Sequence, residues 1–278
     1  MNTQSDSTSE MDSTAGGLPL VIAHRGASSA APENTLVAFH LARLEGADGV
    51  EFDVRLARDG VPVCIHDATL RRTGRRDDLV SALTSAQLDE REVGDWFNLK
   101  FPSAARPEYA NECVPTLEST LDALRDWARA IYLEMKFERG EDFTPLAARV
   151  VEAIRARGME DRVVVESFTL EAVREVGRIA PGMRKAALFK RTTGRLMPSA
   201  RRIVATAVEV GAGELGLGRS LVRPALLDAA RRAGLKSHVW TADTPAWAER
   251  ARALGLCAVI TNRPALMRAA VDALRDED

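Results

Sequence analysis

Glu51 and Asp53 stand two residues apart near the middle of the apolar run Gly49 to Leu56, and Glu134 and Lys136 follow the run Ala130 to Leu133 at the same spacing. A third run, Pro19 to Ala23, stops at His24-Arg25-Gly26. Strand side chains alternate faces with period two, so each pair projects one way. Two adjacent carboxylates repel. Either one keeps its proton or a hard cation holds both ionised, and an oxygen-only donor set favours Mg²⁺, Ca²⁺ or Mn²⁺ over zinc. An exposed acidic strand face is the bland alternative, but the flanking Val50, Phe52 and Val54 need the other face buried. His24 brings a group that titrates near neutrality, and Gly26 a residue free to take φ > 0 where the chain turns.

A second histidine arrives by a hairpin. Arg58-Asp59-Gly60 is a turn signal, with Val61 to Ile65 as the returning strand before His66 and Asp67. A two-residue turn at Asp59-Gly60 pairs Val61 with Arg58 and sets His66 about opposite Asp53, within cross-strand reach of both carboxylates. Three carboxylates, two histidines, Arg25 and Lys136 thus form one candidate set. Asp67 either caps a turn or orients His66, and Glu33 either supports Arg25 or begins a helix.

The elements that position these groups read as alternating β and α units. Pro32-Glu33-Asn34-Thr35 is a rigid entry and cap for the amphipathic stretch Leu36 to Leu44, which Gly46 ends. Five more apolar runs, Arg162 to Ser167, Arg184 to Phe189, Glu214 to Gly218, Lys236 to Thr241 and Cys257 to Thr261, are each followed by a helix-like segment. Together with the strands bearing His24, Glu51 and Glu134 they make eight units, the number that closes an α/β (β/α)₈ TIM barrel, with a doubly wound open sheet as the structural alternative. Residues 18–275 read as one catalytic domain. Residues 67–115 interrupt the pattern and read as a small insertion after the second barrel strand, with a helix over Thr84 to Glu90. Its Trp96, Phe97 and Phe101 supply either an apolar substrate wall or the insertion's own small core.

The 278-residue chain, 46% hydrophobic, suffices for one barrel, and a formal net charge of −2 gives no reason to expect nucleic-acid binding. The Arg71 to Arg76 and Arg201-Arg202 patches read as solvated faces, with Arg71 or Arg72 near the site as an open alternative. Met1 to Gly17 is polar and reads as a disordered tail without the features of a secretion signal. No apolar stretch approaches the roughly 20 residues that span a bilayer. Cys64, Cys113 and Cys257 are few and scattered, which suggests neither a zinc site nor disulfides and suits a cytoplasmic protein. Three residues have mainly structural readings: His40 in the first helix, His238 one layer beneath Trp240, and Cys64 beneath His66. Nothing in the pattern fixes the oligomeric state.

The ordered set His24-Arg25-Gly26, Pro32-Glu33-Asn34-Thr35, Glu51-Phe52-Asp53-Val54, Asp59-Gly60, His66-Asp67, Leu133-Glu134-Met135-Lys136 and Val239-Trp240-Thr241 resembles the glycerophosphodiester phosphodiesterase family over residues 20 to 268. The resemblance implies a (β/α)₈ barrel with an insertion after the second strand, a divalent metal cation, and hydrolysis of a small-molecule glycerophosphodiester to glycerol 3-phosphate and an alcohol. It makes Glu51, Asp53 and Glu134 the metal ligands, His24 and His66 the proton-exchanging pair, Arg25 and Lys136 the phosphate holders, and Trp240 a wall of the glycerol pocket. The chain departs from the family pattern at Glu166 (usually Ser), at Asn262 (usually Asp) and at Cys257-Ala258 (usually Asp-Gly). Glu166 at a barrel rim contacts a cationic head group or faces solvent. Two rival functions are a lysophospholipase D, which needs an apolar acyl channel, and a noncatalytic phosphate-ester binder, which does not need an acid-base pair.

Overall fold

Eight apolar segments pair in parallel because each is followed by a helix that returns the chain across the outside. The computed structural model describes residues 17–191, 194 and 198–275, so the expected disordered tail lies outside the described residues except for Gly17. The strands are β1 (Leu20–His24), β2 (Gly49–Leu56), β3 (Pro62–Cys64), β4 (Ala130–Met135), β5 (Val163–Ser167), β6 (Arg184–Phe189), β7 (Glu214–Gly218), β8 (Lys236–Trp240) and β9 (Ala258–Thr261). All but β3 form the parallel sheet, and β1 bonds both β2 and β9. That closure makes a TIM barrel and excludes the open sheet.

Alternation along each strand separates two kinds of environment. Val21, Ala23, Val50, Phe52, Val54, Leu133 and Met135 face outward and are buried beneath the helices. Ile22, Tyr132, Val164, Ala186 and Ile260 fill the barrel interior. The first helix, α1 (Leu36–Leu44), starts where expected: the Thr35 hydroxyl accepts from the Ala38 amide, and Phe39 and Ala42 turn inward. No helix among the described residues is long and apolar enough to cross a membrane.

The hairpin after β2 differs from the expected register. Val54 pairs with Cys64 and Leu56 with Pro62, and the Ala57 amide bonds the Val61 carbonyl. The loop therefore holds three residues, Arg58-Asp59-Gly60, with Gly60 at φ 78° in the left-handed position that such loops demand. One residue of slip would place His66 on the wrong face of an extended strand. However, β3 ends at Cys64, so the chain is free to turn His66 back toward the barrel mouth.

The insertion builds its own packing. Leu70, Val80, Leu88, Val93 and Val114 cluster with Ala57, Val63 and Ile65. Its helix runs Ser85–Asp89, capped reciprocally by Thr84 and Gln87. Phe97 and Tyr109 are buried against Ala31 and Ala38 of the β1–α1 segment. Trp96 lies beside Phe97 with Arg72 over its ring at 5.7 Å. Phe97 and Tyr109 are therefore a local core and a clamp on α1, with Trp96 partly buried against them and Phe101 exposed at the edge.

Candidate active site

At the C-terminal mouth of the barrel, β1, β2, β4 and the chain after β3 deliver the charged set to one cavity of ≈ 100 Å³. Glu51, Glu134, Arg25, Lys136, His24 and His66 line it, and Trp240 closes a side. Asp53 lies just beneath with no exposure, its two oxygens reached by Arg25 Nε at 2.9 Å and Lys136 Nζ at 3.1 Å. All eight residues singled out in the sequence thus converge. Arg25 and Lys136 are held by carboxylates: Arg25 also bonds Glu33 at 2.8 Å, and Lys136 bonds Glu134 at 2.7 Å.

The strand ends explain this convergence. Residues 23 to 25 leave β1 with Arg25 at φ 56°, and the Arg25 amide bonds the Glu51 carbonyl at 2.7 Å and its carboxylate at 3.2 Å. Parallel pairing sets Asp53 beside Glu134, so the acidic pair on β2 faces the acidic end of β4. Asn34, also at positive φ, donates to Asp53 Oδ2 at 2.9 Å and accepts from its amide at 3.2 Å. Its place before α1 suggested only a capping role. Glu33 meets both Arg25 and Arg72, and Arg72 also bonds Asp67, so the open question of Arg72 resolves toward the site. Arg71 instead pairs with exposed Asp77.

Charge is distributed unevenly. Burial pushes the Glu51 carboxyl well up, and Asp53 beside it adds to the effect. Burial likewise raises Glu134 to about 7 against the pull of Lys136. Asp53 is equally buried, yet Arg25 and Lys136 hold it well below the ordinary carboxylate range. Two cations, one of them shared between Asp53 and Glu134, thus face three buried carboxylates and leave the group short of positive charge. The nearest side-chain oxygens of Glu51, Asp53 and Glu134 lie within 4.8 Å of one another, a spacing and a chemistry that fit a hard divalent cation.

Each histidine is fixed through Nδ1. His66 Nδ1 meets Asp67 Oδ1 at 2.6 Å, so Asp67 orients the ring. His24 Nδ1 meets Asn262 Oδ1 at 2.7 Å. Asn262 is in turn locked: its Nδ2 donates to Asp243 Oδ2 at 2.8 Å and its amide to Asp243 Oδ1 at 2.8 Å. Its Oδ1 must therefore accept, which makes His24 Nδ1 the donor and leaves a lone pair on Nε2. Burial, with Arg25 adjacent, lowers His24 to about 4, so the ring is neutral at pH 7. Asn262 and Asp243 are functional residues that the sequence reading missed. Only Asn262 carried a signal, as a departure from the family pattern.

Three further assignments need correction or completion. Glu166 is no solvent-facing rim residue: it is 2% exposed, lines the cavity floor and lies 3.2 Å from His238 Nε2. Phe168 and Lys190 line the cavity unforeseen, with Phe168 edge-on to Trp240 at 5.4 Å and Lys190 Nζ 4.7 Å from the Phe168 centroid. His40 is exposed on α1 and away from the site, and Cys64 is buried against Thr120 with its thiol pushed up to about 12.

Known proteins resemble this chain over most of its length. Residues 24–266 match the model of the glycerophosphoryl diester phosphodiesterase family. A Mycobacterium tuberculosis protein named probable glycerophosphodiester phosphodiesterase 1 is 34% identical over 268 residues, 93% of this chain and 94% of that one. The glycerophosphodiester phosphodiesterase of Caldanaerobacter subterraneus is 32% identical over 88% of this chain and 94% of its own. Among solved structures, an Oleispira antarctica phosphodiesterase in complex with the product sn-glycerol-3-phosphate superposes with a TM-score of 0.80 at 29% identity, covering 92% of this chain and 97% of that one. By the extent of these matches and the site that they enclose, the chain belongs to the glycerophosphoryl diester phosphodiesterase family.

Proposed function

We infer that this chain hydrolyses glycerophosphodiesters to glycerol 3-phosphate and an alcohol, with Glu51, Asp53 and Glu134 holding a divalent cation, Mg²⁺ or Ca²⁺, with Mn²⁺ as a further candidate. The observation that carries the reading is the pair of Nδ1-anchored histidines flanking a carboxylate cluster short of positive charge. A cation on that cluster supplies charge withdrawal from the non-bridging phosphate oxygens.

The chain's own groups do the rest. Arg25 and Lys136, fixed by Asp53, keep positive charge at the place where a phosphodiester's oxygens gather negative charge in the transition state. His24 presents Nε2 as a proton acceptor and is the base that takes the proton of the attacking hydroxyl. Burial lowers His66 too, against the pull of Asp53 and Asp67, and we assign it as the acid that protonates the leaving alcohol because its Nδ1 partner is a carboxylate. The attacking hydroxyl belongs either to water or to glycerol C2. Accumulation of a cyclic glycerol phosphate by a slow His66 variant selects the second route, and direct glycerol 3-phosphate release selects the first. Trp240 and Phe168 form the apolar wall for the glycerol side of the substrate.

The lysophospholipase D alternative requires an acyl channel, and of the insertion aromatics that could form it Phe97 is buried in the local core. The test incubates the protein with glycerophosphocholine, glycerophosphoethanolamine and lysophosphatidylcholine in EDTA, Mg²⁺, Ca²⁺ or Mn²⁺. Metal-dependent glycerol 3-phosphate is the expected product. Lysophosphatidic acid alone assigns the lipid activity, and ligand binding with no product under any metal assigns a noncatalytic binder. Few, scattered cysteines favour a cytoplasmic location, which fractionation of the native host tests.

A further inference from the structure

A second polar cluster occupies the opposite, N-terminal end of the barrel. Glu214 at the start of β7, His238 on β8 and Cys257 just before β9 project toward one point, their ligand-capable atoms within 4.8 Å of one another. His238 Nδ1 lies 3.6 Å from Glu214 Oε2, and Cys257 Sγ lies 3.9 Å from the same oxygen. A tetrahedral site with zinc-like bond lengths has ligand atoms about 3.3–3.8 Å apart, and the His238 and Cys257 distances to Glu214 Oε2 fall in or close to that range.

The imidazole is an unusual buried group. His238 has no exposure, and its ring nitrogens face Glu166 at 3.2 Å and Glu214 at 3.6 Å without a well-aligned hydrogen bond to either. Buried polar groups left in that condition call for an explanation. Room for the ring exists because β7 carries Gly216 beside it, where an added Cβ would come within 2.6 Å of His238 Nε2. Outer partners already orient the carboxylate: Arg184 Nη2 holds Glu214 Oε1 at 2.8 Å, and the Tyr132 hydroxyl donates to Oε2 at 3.2 Å. An entry path is also present. Cys257 lines a cavity of ≈ 180 Å³ together with Leu235, Lys236 and Ser237, which has space for a water as fourth ligand.

We propose that Glu214, His238 and Cys257 form a second metal site that takes a thiophilic divalent cation of the zinc class. The donor set of one imidazole, one thiolate and one carboxylate is the soft complement of the oxygen-only mouth. Uptake is charge-neutral. Without the metal, the imidazolium of His238 and the guanidinium of Arg184 balance Glu166 and Glu214, with the thiol neutral. On binding, one proton leaves His238 and one leaves Cys257, and the two positive charges of the cation replace them. No redox step is involved.

The experiment titrates the intact protein with Co²⁺ and follows the near-ultraviolet thiolate-to-metal charge-transfer band, which the oxygen donors of the mouth cannot produce. The site gives a band that saturates near one equivalent, that Zn²⁺ abolishes, that is lost in Cys257→Ser and that survives in Cys113→Ser. Because a Cys257 variant could fail to fold, a second measurement uses the wild-type chain: alkylation of Cys257, read by peptide mass spectrometry, slows about tenfold or more with Zn²⁺ and is unchanged by Mg²⁺. Absence of the band, its persistence in Cys257→Ser, or equal alkylation with and without Zn²⁺ overturns the proposal.

Discussion

The two ends of the barrel interior hold charged clusters of similar burial and opposite electrostatic condition. At the mouth, burial pushes Glu51 and Glu134 up, with Asp53 beside them adding to the effect and Arg25 and Lys136 only partly opposing it. At the floor, burial is overcome: His238 and Arg184 depress Glu214 to about 2, and Glu166, Glu214 and Cys257 hold the His238 imidazole well above its ordinary range. In the floor cluster bound protons balance the buried carboxylates, and a thiophilic cation replaces those protons without changing the net charge. A cluster left short of positive charge stores a preference for an external cation, at some expense of stability. Charge imbalance, more than charge density, therefore separates the two.

Breaking the floor cluster has the largest expected effect on the fold. His238→Ala leaves Glu166 and Glu214 buried without their shared cation, and removal of one member of such a network costs about 3–5 kcal/mol. Denaturant titration should show that loss, with activity of the folded fraction far less affected. At the mouth the order reverses. His24→Ala and His66→Ala should each lower turnover by about 10² or more, with melting temperature little changed because neither ring is fully buried in the core. Near-normal turnover in either variant removes that histidine from the mechanism.

The pH dependence of stability in EDTA sharpens the contrast, because the two clusters contribute slopes of opposite sign. Glu134 has a folded pKa of about 7, above the unfolded value of 4.5. Its contribution is fully present below pH 4.5 and is lost as pH rises toward 7, where the unfolded state releases the proton first. Glu214 is depressed to about 2, so its contribution is present above pH 4.5 and is lost as pH falls toward 2. Glu134→Gln should reduce the slope of the first window, which Glu51 shares, and Glu214→Gln that of the second. Saturating divalent cation should flatten the first window in the wild-type chain. Identical profiles for the two variants would remove the distinction.

Much of this arrangement was legible in the sequence because it depends on alternation. Period-two placement sets Glu51 with Asp53, and Glu134 with Lys136, on the interior face whatever the details of closure. Other features depend on quantities that no single segment encodes. The hairpin register depended on whether Gly60 sat in a two- or three-residue loop. Glu166 was on the correct face but at the wrong height, since depth in a barrel follows from the stagger of all eight strands. Cys257 showed no zinc-like spacing because its partners come from β7 and β8, 43 and 19 residues away. The anchoring of His24 was equally hidden. It requires the chain after β8 to bring Asp243 against Asn262, which sits after β9.

That anchor gives the smallest of the predicted effects and tests the acid-base assignment. His24 is tethered through a neutral amide and His66 through a carboxylate, the difference on which the proposed assignment of base and acid rests. Asn262→Ala keeps the His24 ring but frees its orientation and tautomer, so turnover should fall by about tenfold, less than on loss of the ring, with KM little changed. Ser28, which also donates to Asn262 Oδ1 at 2.9 Å, cannot replace the acceptor. Asp243→Asn should act in the same direction, because an amide at 243 no longer dictates which end of Asn262 faces the imidazole. If both substitutions leave kcat unchanged, His24 does not depend on its tether, and the assignment of base and acid from the two anchors fails even though both histidines stay in the site.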